Sequence, residues 1–573
     1  MRKSLIYLFV FLFSLTSCSK QKKEIADRIY FNTNIYTVDP EQPFAEAIAI
    51  KENRILYVGS KHAAMQYKGD KTSLTDLNGK FMMPGFIESH IHPGVATLIS
   101  SGVELIGVKS LKELESKLIQ YVKENPNKKT IFGFGWSLDI FKGKEPDKSI
   151  LDKIVNDKPV MLISTDAHSA WMNSKAFELL NINKNTKDPQ PNVHYYKRDK
   201  YGNPTGWCVE GDTFWPCLSR LGLGTTADFE KEYAKLLPVF SKMGVTALMD
   251  AGVPNVQENA FKALIQLEKE DRLPLRYKGT HYVTNKHAAK TAIEDFQYLS
   301  QKYKSELFDM LAIKIPNDGT IEAKTAALKK HYSNDPSNKG EVLFNQATLT
   351  SIFSGARANN IDIHMHAIGD RTIHEGLNAF EAAKNKYPIS DSRYTMCHVQ
   401  LVDSPDLPRF NELGVIAQVS PNWVFDVNDT YYNFWVEVIG KDRTDKQFQN
   451  HSLFESGACV SLGSDFPASG SSLWESSPIY TMEIGQTRQE PNKPNSRVIP
   501  MAKEKLSMEE IIKGYTINAA YQLRLEDKVG SLEKGKLADL IVLSANPFET
   551  EKYEVHHIQV LLTMMDGKIV YKK

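Results

Sequence analysis

Apolar and polar positions recur along this chain with two different periods, and the switches between them outline its architecture. From about residue 26 to 80 the apolar runs are short, at 29–36, 45–51, 54–58 and 73–77. Asp-Pro, Glu-Asn and Gly turns separate them, which reads as strands joined by tight turns. The C-terminus returns to the same texture, with an apolar run at 540–543 and a hairpin-like pair at 560–565 and 568–571 around Gly567. Two β-rich ends flanking a different middle predict one β-sandwich assembled from both termini.

Between them, strand-like runs alternate with helical periodicity, which predicts βα units around a parallel sheet. The runs at 86–90, 245–250, 311–315, 362–366, 394–398, 415–419 and 459–463 fit barrel strands, and 111–124, 229–242, 321–330 and 508–523 fit helices. Residues from about 105 to 225 break this rhythm and hold Trp136, Asp166, His168, Trp171, Trp207 and Trp215. They read as an insertion over the barrel mouth. The extreme N-terminus is an export signal: Arg2 and Lys3 precede an apolar run from Leu5 to Leu15, too short to span a bilayer. The resulting division is a signal at 1–17, a polar tether at 18–25, β-sandwich parts at 26–80 and 530–573, and a barrel at 81–529.

Composition changes little in this picture. With 573 residues, 42% apolar and 24% charged, the chain has ample material for a large core. A net charge of +1 gives no sign of nucleic-acid or polyanion binding. Leu15-Thr16-Ser17-Cys18 resembles a bacterial lipobox, in which the Cys is lipidated and becomes the new N-terminus. That makes Cys18 the lipidation site of an exported, membrane-anchored lipoprotein of the periplasm or outer membrane; the simpler alternative is an ordinary cleaved secretory signal. The other cysteines, Cys208, Cys217, Cys397 and Cys459, lack zinc-finger spacing. An oxidising compartment permits a Cys208–Cys217 bridge, but buried free thiols are the blander account.

The candidate chemistry sits at strand ends. His90 and His92 close the run Phe86-Ile87-Glu88-Ser89-His90, and residues two apart on a strand face the same side, so both imidazoles can grip one cation. Pro93 and Gly94 end that strand, at the barrel face where catalysis is usually found. Lys314 lies inside an apolar strand, where an ammonium is costly to bury. Carboxylation by carbon dioxide would turn it into an anion able to bridge two metals; snorkelling or pairing with Asp318 is the alternative. Asp362, His364 and His366 share one face, and only His366 lies near the rim, so His366 is the expected ligand and His364 belongs to a deeper layer. His398 and Asp465 end two later strands. Imidazole and carboxylate donors suit zinc best, with manganese, iron or nickel also compatible.

From residue 27 onward the chain resembles the metal-dependent amidohydrolase superfamily, specifically amidohydrolase family 3. The resemblance is carried by Met83-Pro84-Gly85-Phe86-Ile87-Glu88-Ser89-His90-Ile91-His92, Gly133-Phe134-Gly135-Trp136, Asp166-Ala167-His168-Ser169, His366-Ala367-Ile368-Gly369-Asp370, Gly463-Ser464-Asp465 and Gly530-Ser531-Leu532-Glu533-Lys534-Gly535. It implies a distorted (β/α)8 TIM-like barrel plus the composite β-sandwich. It implies that His90, His92 and Asp465 hold one divalent metal, that His366 and His398 hold a second, and that a carboxylated Lys314 bridges them; one zinc or two fit the family. Ala167 stands where the family often has Gly, and Gln418-Val419-Ser420-Pro421-Asn422-Trp423 departs from its Gln-Pro-x-His form. Both departures bear on the substrate rather than the metal.

The expected reaction is hydrolysis of a C–N bond in an amide, cyclic amide or N-acyl small molecule by metal-activated hydroxide. Asp465 would shuttle the proton and His168 would help polarise the carbonyl, with Trp136, Asp166 and His168 lining the substrate pocket. The alternatives are hydrolytic deamination of an aminated heterocycle, and a non-catalytic metal-binding surface lipoprotein. Oligomeric state is left open, and a homo-oligomer is compatible with this reading.

Overall fold

The structure, a computed structural model, describes residues 24–165, 167, 169–189, 191, 194–426, 430–467 and 472–573. Eight strands form the central sheet: β1 (Phe86–Ile91), β2 (Val245–Asp250), β3 (Arg276–Tyr282), β4 (Phe308–Pro316), β5 (Asp362–Ala367), β6 (Tyr394–His398), β7 (Val415–Val419) and β8 (Val460–Leu462). Parallel ladders join them in chain order from β1 to β8. Every residue of β1, β2, β6, β7 and β8 is buried. Strands covered on both faces need near-continuous apolar sequence, which is why these read so plainly.

The first and last strands nearly close the ring. The Ser89 hydroxyl donates to the Leu462 carbonyl at 2.6 Å, and the Ser464 amide donates to the buried Glu88 carboxylate at 2.8 Å. The Asp465 amide donates to the His90 carbonyl at 2.9 Å and the His92 amide to the Phe466 carbonyl at 2.8 Å. This seam is where metal-type residues from the two ends of the barrel meet.

One barrel strand, β3, escaped the apolar pattern. Its sequence Arg-Tyr-Lys-Gly-Thr-His-Tyr is polar, yet most of it is buried. Most of its polar groups have partners: buried Arg276 pairs with Asp539 and Asp566, half-buried Lys278 with Asp309, and the Tyr277 hydroxyl donates to Asp250. Two expected helices also differ. Residues 321–330 form turns, because Asp318 captures the Ala327 amide at 3.1 Å and Thr320 and Thr325 hydrogen-bond to each other locally. The helix expected over 508–523 is two, Met508–Tyr515 and Ile517–Gln522, broken at Thr516.

Strands from both chain ends share one eight-stranded sheet. In it Leu540–Leu543 pairs with Phe81–Pro84, the segment leading directly into β1, and Arg28–Tyr36 lies beyond. Between β1 and β2 the chain forms a separate six-stranded sheet, running from Val103–Glu104 to Pro204–Val209 in sequence, with its own apolar core. Cys208, Cys217, Cys397 and Cys459 are free thiols.

Candidate metal centre

The C-terminal ends of β1, β4, β5 and β6 and the turn after β8 converge. His90 Nε2 lies 3.2 Å and His92 Nε2 3.4 Å from the same Asp465 carboxylate oxygen. One donor atom from each of His90, His92 and Asp465 falls within 4.8 Å of the others. The His366 and His398 rings are 4.5 Å apart centre to centre, and His398 is 4.8 Å from His90. Lys314 is 2% exposed, with Nζ 3.5 Å from His90 Nε2. No carboxylate among the described residues lies within ion-pair distance of it, so the expected alternative of a Lys314–Asp318 pair is not formed. Asp318 instead bonds His366.

The second nitrogen of three imidazoles is fixed from behind. His92 Nδ1 is 3.0 Å from the Gly252 carbonyl, and His366 Nδ1 is 3.0 Å from Asp318. In both rings the Nδ1–H donates, which leaves the Nε2 lone pair free. His90 Nδ1 is 2.8 Å from His364 Nε2. His364 is thus not a bystander: from its deeper layer it orients His90. His398 lies flat on Trp423, with rings 4.8 Å apart and 4° from parallel.

Electrostatics favour neutral imidazoles. Burial, then neighbouring Lys314 and His side chains, holds His90 well below the ordinary imidazole value; His364 and His398 are lowered in the same way. Burial pushes the Asp465 carboxyl up to about 6 and Glu88 up to about 8. Asp465 also sits in left-handed backbone at φ 56°, and His398 at φ 75°. Non-glycine residues are strained there, and such strain persists where the surroundings over-determine it, often at functional sites. At Asp465 the surroundings are the two hydrogen bonds of the seam on either side.

These residues fit a divalent cation. The Asp465 oxygen shared by His90 and His92 and the Nδ1 of His398 are buried with no hydrogen-bond partner among the described residues. Uncharged imidazoles and a carboxylate with donor atoms this close together suit a divalent cation.

Other expected site residues stand elsewhere. Trp136 is fully buried in the core of the six-stranded sheet, against Phe141 and Trp171, and its indole N–H donates to the Leu162 carbonyl at 2.8 Å. Its ring packs the core of the insertion. Cys18, Asp166 and His168 lie outside the described residues. Asp318, Gly252, His364, Glu88 and Trp423 were not singled out as parts of the site. Glu88 and Trp423 appeared only within longer motifs, and His364 and Asp318 only through their places beside His366 and Lys314.

A parallel barrel whose C-terminal rim gathers imidazoles and a carboxylate defines a metal-dependent hydrolase. The chain belongs to the amidohydrolase family, which it matches over residues 73–571. It is 27% identical over 444 residues to the exoenzymes regulatory protein AepA of Pectobacterium carotovorum subsp. carotovorum, covering 76% of this chain and 93% of that protein. To the N-substituted formamide deformylase of Arthrobacter pascens it is 24% identical over 570 residues, covering 96% of this chain and 99% of that enzyme. An uncharacterized metal-dependent hydrolase of Pyrococcus horikoshii OT3 superposes with a TM-score of 0.73 at 25% identity, covering 92% of this chain and 99% of the other.

Proposed function

We propose that this chain hydrolyses the C–N bond of a small amide, cyclic amide or N-acyl compound, with zinc held by His90, His92 and Asp465 and a second ion by His366 and His398. The observation that carries the reading is the triad of buried His90, half-buried His92 and buried Asp465, one donor atom of each lying within 4.8 Å of the others. A cation bound there supplies Lewis acidity, polarising the carbonyl and lowering the pKa of water to roughly 7. Asp465 accepts the proton of the attacking water and returns it to the leaving nitrogen. Gly252, Asp318 and His364 keep three imidazoles aimed. Lys314 joins the donor set only when carboxylated, a form that removes the cost of burying its amine. On the sequence resemblance alone, His168 is the candidate to polarise the carbonyl and Asp166 a candidate to contact the substrate.

The likeness to an N-substituted formamide deformylase supports an N-acyl bond as the target. The test is a substrate screen of zinc-loaded protein that reads amine and carboxylate release from N-acyl compounds in one arm and ammonia release from aminated heterocycles in the other. Amine release that disappears in Asp465→Ala is expected; ammonia release alone would make the protein a deaminase.

The chain is further proposed to be a lipoprotein anchored through Cys18, on the sequence of its export signal. No helix among the described residues is long and apolar enough to cross a membrane. Metabolic labelling with a fatty acid should mark the wild type and not Cys18→Ser.

A further inference from the structure

One more donor enters the rim cluster. Cys397 immediately precedes His398 on β6 and is fully buried. Its Sγ lies 3.4 Å from Lys314 Nζ and 3.3 Å from the Met365 carbonyl oxygen. Strand register brings it there, since His366 on β5 pairs with Cys397 on β6. Consecutive strand residues normally face opposite sides. Here the backbone turns left-handed at His398 (φ 75°) and Val399 (φ 44°), so Cys397 and His398 both reach the interior. One donor atom each from His90, Cys397 and His398 consequently lies within 4.8 Å of the others. That is the spacing found for His90, His92 and Asp465, and His90 belongs to both groups.

We infer that Cys397 is a metal ligand, its thiolate joining His398 on the second ion, beside His90. The inference rests on the reading of the rim as a metal centre. A cysteine that served only packing would not need its sulfur among ring nitrogens, and His398 beside it has a buried Nδ1 with no partner among the described residues. On binding, the Sγ–H bond breaks, the sulfur–metal bond forms and the proton leaves to solvent; no electron is transferred. The thiolate is the ligating form. It supplies an anionic donor at the place a carboxylated Lys314 would reach, without any modification. It also makes the site softer than one of nitrogen and oxygen alone, favouring zinc over manganese or magnesium.

Loading the full chain with cobalt(II) tests this. A cobalt–thiolate bond adds a near-ultraviolet charge-transfer band to the visible ligand-field bands, whereas imidazole and carboxylate ligands give only the latter. The wild type should show both. Cys397→Ser should keep the visible bands and lose the near-ultraviolet one, and Cys208→Ser, altered in the insertion, should keep both. Visible bands alone in the wild type, or a near-ultraviolet band that survives in Cys397→Ser, would overturn the assignment and leave the metal centre standing. Neither band in the loaded wild type would overturn the metal centre as well. If the serine variant does not fold, cadmium-113 resonance of the wild type answers the same question. A strongly downfield thiolate shift supports Cys397 as ligand, and a shift typical of nitrogen and oxygen donors overturns it.

Discussion

Single side chains behind the rim decide how well it is organised. Asp318 holds His366 through Nδ1 and also accepts the amides of Ala327, Ile368 and Gly369. Replacing a carboxylate that orients a ligating imidazole typically weakens metal binding by about 10–100-fold. Asp318→Asn is therefore expected to lose affinity in that range by chelator competition, with the barrel still folded. Asp250 serves His92 one step further away. Its carboxylate accepts the amides of Gly252 and Gly94, which flank the Gly252 carbonyl contact and His92 itself. Burial pushes its carboxyl up to about 6, above an unfolded value near 4. The folded chain thus binds this proton more tightly than the unfolded one. The associated stability is fully present below about pH 4 and is lost as pH rises through about 6, on the order of 3 kcal/mol in all. Urea unfolding of the metal-free protein should show a shallower loss between those pH values in Asp250→Asn than in the wild type; parallel curves would refute this. His90, His92, His366, His398 and Asp465 were open to sequence reading as candidates because each lies at or just beyond the end of a barrel strand. Asp318 and Gly252 were not, since a carboxylate or carbonyl that orients a ligand from a loop has no periodicity to betray it.

Among elements, the seam between β1 and β8 leaves no room for a side chain at Gly463. A Cβ on Gly463 would lie 2.6 Å from the His90 amide nitrogen and 2.9 Å from its carbonyl oxygen, both backbone atoms that cannot swing away. Gly463→Ala should force the strands apart, costing about 1–3 kcal/mol as overpacked sites do. It should also lower bound metal, because Asp465 follows two residues later. Trp136 makes the opposite case. Trp136→Ala should destabilise the insertion by roughly 3–5 kcal/mol while leaving metal content unchanged. The sequence pattern located barrel strands well where both faces are apolar and failed at β3, whose buried Tyr277 and Arg276 are satisfied by Asp250 and Asp539 far away in the chain. No local window contains those partners. The segment 321–330 failed for a related reason: its amides serve Asp318 and a threonine pair instead of a helix.

At the scale of the molecule, the barrel and the terminal sheet are tied together. Arg276 of β3 is 6% exposed and pairs with Asp539 and Asp566, both from the C-terminal segment. Removing one partner of a buried pair typically costs about 3–5 kcal/mol. Asp539→Ala should lower the urea midpoint accordingly, although it lies in another sheet from the metal ligands. Leu540–Leu543 completes a sheet through Phe81–Pro84, so the C-terminus steadies the strand that ends in His90 and His92. The composite unit was legible because both ends share one texture, and its arrangement as a single hydrogen-bonded sheet was not. The central claim is that the rim side chains bind a divalent cation. Metal analysis of purified protein after zinc-replete preparation addresses it most directly. At least one zinc per folded wild-type chain, lost in His90→Ala, is the predicted result; a folded wild type without bound metal under those conditions would contradict the account.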